Sequence, residues 1–206
     1  MAVVEGPRTS NLVTRVQNIL LRPSLEWDVI AAEPASVNGL YTGYACILAA
    51  IPAVATVIRY LITGHLFLLP AIIAAAVGYV LSLAGLYVIA LIVDALAPSF
   101  GAERNKIQSM KLVTYASTAS WVAGVFDVLP VLGGIMGLLG GIYSLYLIYL
   151  GLPKLMKNPA DKTAPYLLAT VVSAILVYVV IAVIIGTITA MFAVGALATG
   201  AALSVH

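Results

Sequence analysis

Apolar residues in this chain gather in long unbroken runs, with polar residues confined to the gaps. A bilayer core of about 30 Å needs roughly 20 apolar residues in helical form. Five runs come close to or exceed that length: 39–62, 67–93, 111–129, 131–152 and 166–192. Proline marks their limits. Pro98 follows the second run, Pro130 divides the third from the fourth, Pro153 ends the fourth, and Pro165 suits the first turn of the fifth. Pro52 lies inside the first run and predicts a kink that neighbouring helices repair. The expected fold class is all-α: a polytopic membrane bundle of five transmembrane helices plus short cytoplasmic N-terminal amphipathic helices. The expected division is 1–37 as a cytoplasmic N-terminal segment, 38–195 as the transmembrane domain and 196–206 as an apolar external tail. A single helix over 166–203 would measure about 57 Å, so Gly195 and Gly200 are expected to break it.

Ahead of the first run the pattern changes. In "SNLVTRVQNILLRP", Leu12, Val13, Val16, Ile19 and Leu20 fall on one helical face, with Arg15, Gln17, Asn18 and Arg22 off it. That suits a helix in the inner headgroup region, its cations near anionic lipid, or one packed under the bundle as a plug. The next stretch, "PSLEWDVIAAEPAS", predicts a second short helix with Ser24 as N-cap and Glu26 and Asp28 in its first turns, closed by Glu33-Pro34. Trp27 is expected to anchor it at the interface. Its carboxylates read as dipole partners of the helix, or as contacts for a cation, a basic partner or the lysines of the inner loops.

Composition makes the membrane reading firm. The chain is 63% apolar and 9% charged, against about 45–50% apolar in soluble domains. No basic stripe exists to neutralise phosphates, which excludes nucleic acid. The lone Cys46 and the distant His65 and His206 predict neither disulfide nor metal centre, and no cofactor is implied. The first residues are mixed polar and do not read as a signal peptide. Basic residues then set orientation. Arg8, Arg15, Arg22, Arg104, Lys106, Lys111, Lys154, Lys157 and Lys162 fall on one side, and Arg59 alone on the other. The N-terminus is therefore expected inside and the C-terminus outside.

Ionisable residues in spans are the first candidates for chemistry. Asp94 falls at the cytoplasmic end of the second run, near Arg104, Lys106 and Lys111. Asp127 lies about 24 Å along the third run from Lys111, near the opposite surface. The two carboxylates cannot form a catalytic pair, no histidine lies within a span to act as base, and no enzyme is expected. Asp127 is instead expected to form a structural ion pair with Arg59. Eight of the eleven tyrosines fall toward the inner half. Among them Tyr41, Tyr44, Tyr115 and Tyr146, with Thr114, Ser117, Thr118 and Ser120, would line a polar cytoplasm-facing cleft, or else bond helices together. Gly133, Gly137 and Gly141 repeat at four-residue spacing on the fourth run and predict a tight helix contact, within one chain or in a homo-oligomer, where Ala182, Gly186 and Ala190 on the fifth run offer a second seam.

The segments "NILLRPSLEWDVIAAEPAS", "LYTGYACILAAIPA" and "VTYASTASWVAGVFDVLPVLGG…LYLIYLGLPKLMKNPADKTAPY" together resemble the bacterial branch of the Yip (Ypt-interacting protein) family, small five-span membrane proteins. The resemblance covers about 10–195, and its most specific pieces are E-W-x-x-I-x-x-E-P and the exit from span four. It implies a bacterial inner-membrane protein with a cytoplasmic N-terminus. Eukaryotic members are associated with Rab-type GTPases and carry D-L-Y-G-P; this chain has only Gly39-Leu40-Tyr41 there, so the resemblance implies architecture more than a partner. Two functions follow as expectations. One is a non-enzymatic scaffold or adaptor in the bilayer, meeting a protein partner through its cytoplasmic segment. The other is a small-solute or ion permease using the inner cleft. The absence of an internal repeat favours the first.

Overall fold

The structure, a computed structural model, describes residues 11–63 and 68–203, with 192–203 as backbone only. Arg8, His65 and His206 lie outside the described residues. All regular structure among the described residues is helical. Two short helices, α1 (Leu12–Leu21) and α2 (Pro23–Ala32), precede a rod over Val37–Ile62 made of α3 (Val37–Leu40), a π turn at Tyr41–Ala45 and α4 (Cys46–Ile62). Helix α5 (Leu68–Leu96) ends in a 3₁₀ turn, Ala97–Phe100, closed by Gly101 at φ 68°. There follow α6 (Lys106–Ala116), α7 (Thr118–Ala123), a 3₁₀ turn at Gly124–Val128, α8 (Pro130–Leu155) and α9 (Thr163–Leu203).

Four segments are long and apolar enough to cross a membrane: Val37–Ile62, Leu68–Phe100, Pro130–Leu155 and Ala160–Met191. The expected third span, 111–129, is not one long helix. Asn105 caps α6 by accepting from the Ile107 and Gln108 amides at 3.2 and 3.1 Å. The helix then breaks at Ser117, where the Ser117 hydroxyl donates to the Val113 carbonyl and Thr118 to the Tyr115 carbonyl, at 2.8 and 2.6 Å. Side chains that bond back onto the preceding turn bend helices. Beyond the break, Gly124 packs so close to Pro52 that a Cβ there would stand 2.6 Å from the proline Cβ. This broken helix is nevertheless the centre of the bundle, with Met110, Leu112, Thr114, Ala116 and Thr118 all buried. By contrast α9 turns Ile175, Leu176, Val179 and Val183 outward, as lipid-facing side chains are.

Proline punctuation holds with one exception. Pro130 opens α8 at its first position and Pro165 lies in the first turn of α9, but Pro153 is carried inside α8, which continues to Leu155. Helix α9 also runs through Gly195 and Gly200 without a break. A glycine removes a side chain from a helix but leaves its hydrogen bonds intact, so an apolar run continues across it.

The glycine seam of α8 differs from its expected form. Gly133 meets Asp127 and Phe126, and a Cβ added there would stand 2.8 Å from the Asp127 Cα, but Gly137 and Gly141 have nothing within 4 Å. The close contact recurs at Gly140, where a Cβ would stand 2.7 Å from the Ala123 Cβ and 2.9 Å from the Ala119 oxygen. The intramolecular seam thus follows a seven-residue repeat, two helical turns, because the broken third helix crosses only that face. Gly140→Leu should destabilise the protein by about 1–3 kcal/mol, the usual cost of overpacking, while Gly137→Leu should leave unfolding in detergent unchanged. Equal effects in chemical denaturation would refute the seven-residue seam.

Candidate functional site

The residues singled out at the N-terminus converge, but around a group expected on the opposite face. Glu26 and Ile30 lie one turn apart on α2, and Glu33 follows at its C-cap, so all point to one side. Into that side projects Arg15 from α1, 4% exposed. Its guanidinium donates to Glu26 Oε1 at 2.5 Å and to both Glu33 oxygens at 2.6 and 2.5 Å. Burial works against the Arg15 charge, but the Glu33 hydrogen bond and the charges of Glu33 and Glu26 outweigh it and raise its pKa. The assignment of faces on α1 is corrected at two positions, Arg15 and Val13, while Leu12, Val16 and Leu20 pack against the core beside the buried Ile19 as an underlying plug would. Arg15 and Ile19 face inward while Val13 is exposed, because the buried Glu26 and the half-buried Glu33 attract the cation more strongly than the headgroup region would.

A second cation locks the end of α2. Pro34 stops the helix, leaving carbonyls without helical partners. The buried Lys111 of α6 donates to the Ile30 and Glu33 carbonyls at 2.8 and 2.5 Å, and Gln108 to Ala31 at 3.1 Å. A positive group at a helix C-terminus also complements its dipole. Tyr143 of α8 does the same for α1, donating to the Leu20 carbonyl at 2.7 Å. At the other end, Ser24 is not the N-cap: Arg22 holds that position, and no side chain caps the helix. The Ser24 carbonyl accepts instead from Lys154 at 2.5 Å, and Lys154 also bridges to Asp28 at 2.7 Å.

Trp27 is not an interfacial anchor. It is 0% exposed and packs against Gly151 of α8, where a Cβ would meet its ring at 2.9 Å and Leu112 at 2.5 Å. The signal that could have revealed this is the pairing of a bulky ring with a glycine inside the fourth apolar run, but nothing local links the two.

Inward of Arg15 the cluster continues into tyrosines. The π turn adds a residue to one helical turn and re-aims the side chains beyond it. Tyr44 thereby reaches Thr118, their hydroxyls 2.8 Å apart, and meets the Tyr115 ring edge-on at 4.7 Å. Arg15 lies over that Tyr115 ring, 5.5 Å from its centroid. Tyr41 turns away to donate to the Leu83 carbonyl at 2.7 Å, and Tyr146 is exposed on α8. Of the four tyrosines expected in one cleft, the fold joins Tyr44 and Tyr115 and separates Tyr41 and Tyr146. The residues that sequence reasoning missed are Arg15, Lys111, Gln108 and Tyr143.

Arg59 and Asp127 do share an end of the bundle, about 27 Å along α8 from Trp27 by the Gly133–Gly151 rise. They feel each other electrostatically, yet no direct ion pair closes. Arg59 lies instead over the Tyr60 ring at 5.3 Å, and Asp127 is held beside Gly133. Asp94, near the end of α5, is buried and accepts from Arg104 at 3.1 and 3.2 Å, forming an ion pair with it. Among the described residues, no group of three or more His, Cys, Asp or Glu side chains could hold a metal ion.

What the arrangement does in the structure is join helices. Arg15 closes on the two carboxylates and joins α1 to α2, while Lys111 and Tyr143 bond backbone carbonyls and fasten α2 to α6 and α1 to α8. The long apolar helices and their outward apolar side chains define a multi-pass membrane protein. The Yip1 domain model matches residues 18–184, most of the chain, and the chain belongs to that family. No curated protein and no solved structure shows significant similarity to it.

Proposed function

We propose that this protein is a non-enzymatic membrane scaffold or adaptor, and that the outward face of the α1–α2 cap is its contact surface. The observation that carries this reading is the use of Arg15 against Glu26 and Glu33, with Lys111 spent on the backbone carbonyls at the end of α2. A permease cleft would leave such groups facing water or solute. Here Arg15, Trp27 and Tyr44 are all buried and Arg15 lies over the Tyr115 ring, which supports a rigid platform. The platform turns Leu25 and Val29 outward, one turn apart on α2, with Asp28 beside them and Leu21 exposed at the end of α1. An apolar stripe with a charged border is the pattern a partner helix or groove recognises.

The proposed topology has five crossings, with the cap cytoplasmic in a bacterial inner membrane and the C-terminus external. Residues 106–128 would supply the fifth crossing, since a helix of that length covers about 34 Å. The basic residues at the cap end support this orientation.

A photoreactive residue placed at Leu25 in living cells tests the contact surface. Discrete protein adducts, lost in Leu21→Glu while the protein remains folded, are the expected result. Adducts to lipid alone would overturn the adaptor reading. Thermal stabilisation by a small solute would favour the permease in its place.

A further inference from the structure

At the end of the bundle remote from the cap, α4, α5 and α9 separate around a cavity of about 740 Å³. That lies within the range of roughly 300–1,000 Å³ typical of small-molecule sites. Its walls are small: Ala49, Ala53, Ala71, Ala74, Ala75 and Gly78 leave a space that larger residues would fill. The hydroxyls of three wall residues are already engaged. Tyr79 donates to the Cys46 carbonyl, Ser82 to Tyr79 and Thr189 to Ile185, at 3.0, 2.8 and 2.8 Å. The surface facing the interior is mostly hydrocarbon. Against the other side of the same α4–α5 seam lies a groove of about 360 Å³, which shares Ala53, Ala75 and Tyr79 and borders the exposed Val54, Ile58 and Ile72.

Among the described residues, one charged side chain lines this cavity, that of Arg59. From Ala49 to Arg59 the helix rises about 15 Å, so the cation stands at the rim and the apolar space runs inward from it. Arg59 lies over the Tyr60 ring at 5.3 Å, and no ion pair joins it to Asp127. An arginine near a helix end reaches toward the membrane interface and presents paired N–H groups that match a phosphate. A cation over an apolar slot, between helices long and apolar enough to cross a membrane, is complementary to an amphiphile with an anionic head.

We infer that the α4–α5–α9 cavity is a binding site for an anionic phospholipid, with an acyl chain between Ala53, Ala75 and Gly78 and the phosphate on Arg59. A zwitterionic lipid would place the same chain there, but its own cation would compete with the guanidinium. The site is distinct from the cap and lies at the other end of the molecule.

The test is native mass spectrometry of the full protein in detergent, titrated with phosphatidylglycerol and phosphatidylcholine of identical chains. One charge-assisted contact predicts a preference of about tenfold for phosphatidylglycerol. Arg59→Gln should bring the two lipids to parity without abolishing either. Ala75→Phe should fill the slot and remove both, with Ala53→Leu as a second filling variant if the first fails to fold. Equal retention of the two lipids by the unaltered protein would overturn the inference. So would a preference that survives Arg59→Gln, or undiminished binding in a folded slot-filling variant.

Discussion

Arg15→Leu should cost about 3–5 kcal/mol, the range for breaking a buried ion pair from one side, and should release the cap from the bundle. The reason is the company Arg15 keeps. Glu26 and Glu33 have their carboxylates turned toward it at hydrogen-bond distance, and Glu26 is almost fully buried. Without the guanidinium, two negative charges remain close together with water largely excluded. Limited proteolysis across 23–36 should accelerate, and denaturation followed by tryptophan fluorescence should begin at lower denaturant. Removing all three charges together, as Arg15→Met with Glu26→Leu and Glu33→Leu, should recover most of the loss, because replacing a whole buried ionic cluster with apolar residues is often neutral. Asp28→Asn gives the contrast. Its bridge to Lys154 is exposed on the carboxylate side, and exposed pairs are worth about 0–1 kcal/mol. If Arg15→Leu is no worse than Asp28→Asn, the buried latch is not what holds the cap.

Trp27→Ala should be comparably severe, at about 3–5 kcal/mol for truncating a fully buried aromatic side chain. An interfacial tryptophan would lose little folding stability on truncation. This one fills the space between α2, α6 and α8, and Gly151 leaves the room that admits it. Its indole nitrogen has no hydrogen-bond partner among the described residues, so Trp27→Phe should cost clearly less than alanine, since no polar contact is lost. The glycine supplies an internal check. Gly151→Ala should be destabilising in the native background, where the new methyl meets the indole and Leu112, and milder in Trp27→Phe. A double-mutant cycle with no coupling between positions 27 and 151 would show that the ring does not set the spacing of α2 against α8.

Much of the architecture is legible in the sequence because transmembrane helices satisfy their own backbone. A run of about 20 apolar residues has few alternatives in a bilayer, so the expected runs at 39–62, 67–93, 131–152 and 166–192 correspond to long helices. Prolines at 98 and 130 fall at real boundaries for an equally local reason: a missing N–H and a fixed φ. The run at 111–129 is apolar enough to resemble the others, but its hydroxyls bend it and its neighbours bury it, and neither effect appears in a hydropathy pattern. The site is half legible. Glu26, Trp27 and Glu33 stand out together in the sequence, yet their local pattern points to the membrane surface and not to the buried contacts they make.

Sequence by itself thus determined a helical membrane protein with an acidic N-terminal segment, since helix length, proline position and charge asymmetry are properties of short stretches. Only the tertiary structure decided that Arg15 faces inward, that Trp27 rests on Gly151, that Gly133 and Gly140 form the seam and that Arg59 borders a cavity. Each of those depends on which partner arrives from a distant part of the chain. A charge or a ring takes its environment from that partner, and no local pattern specifies it.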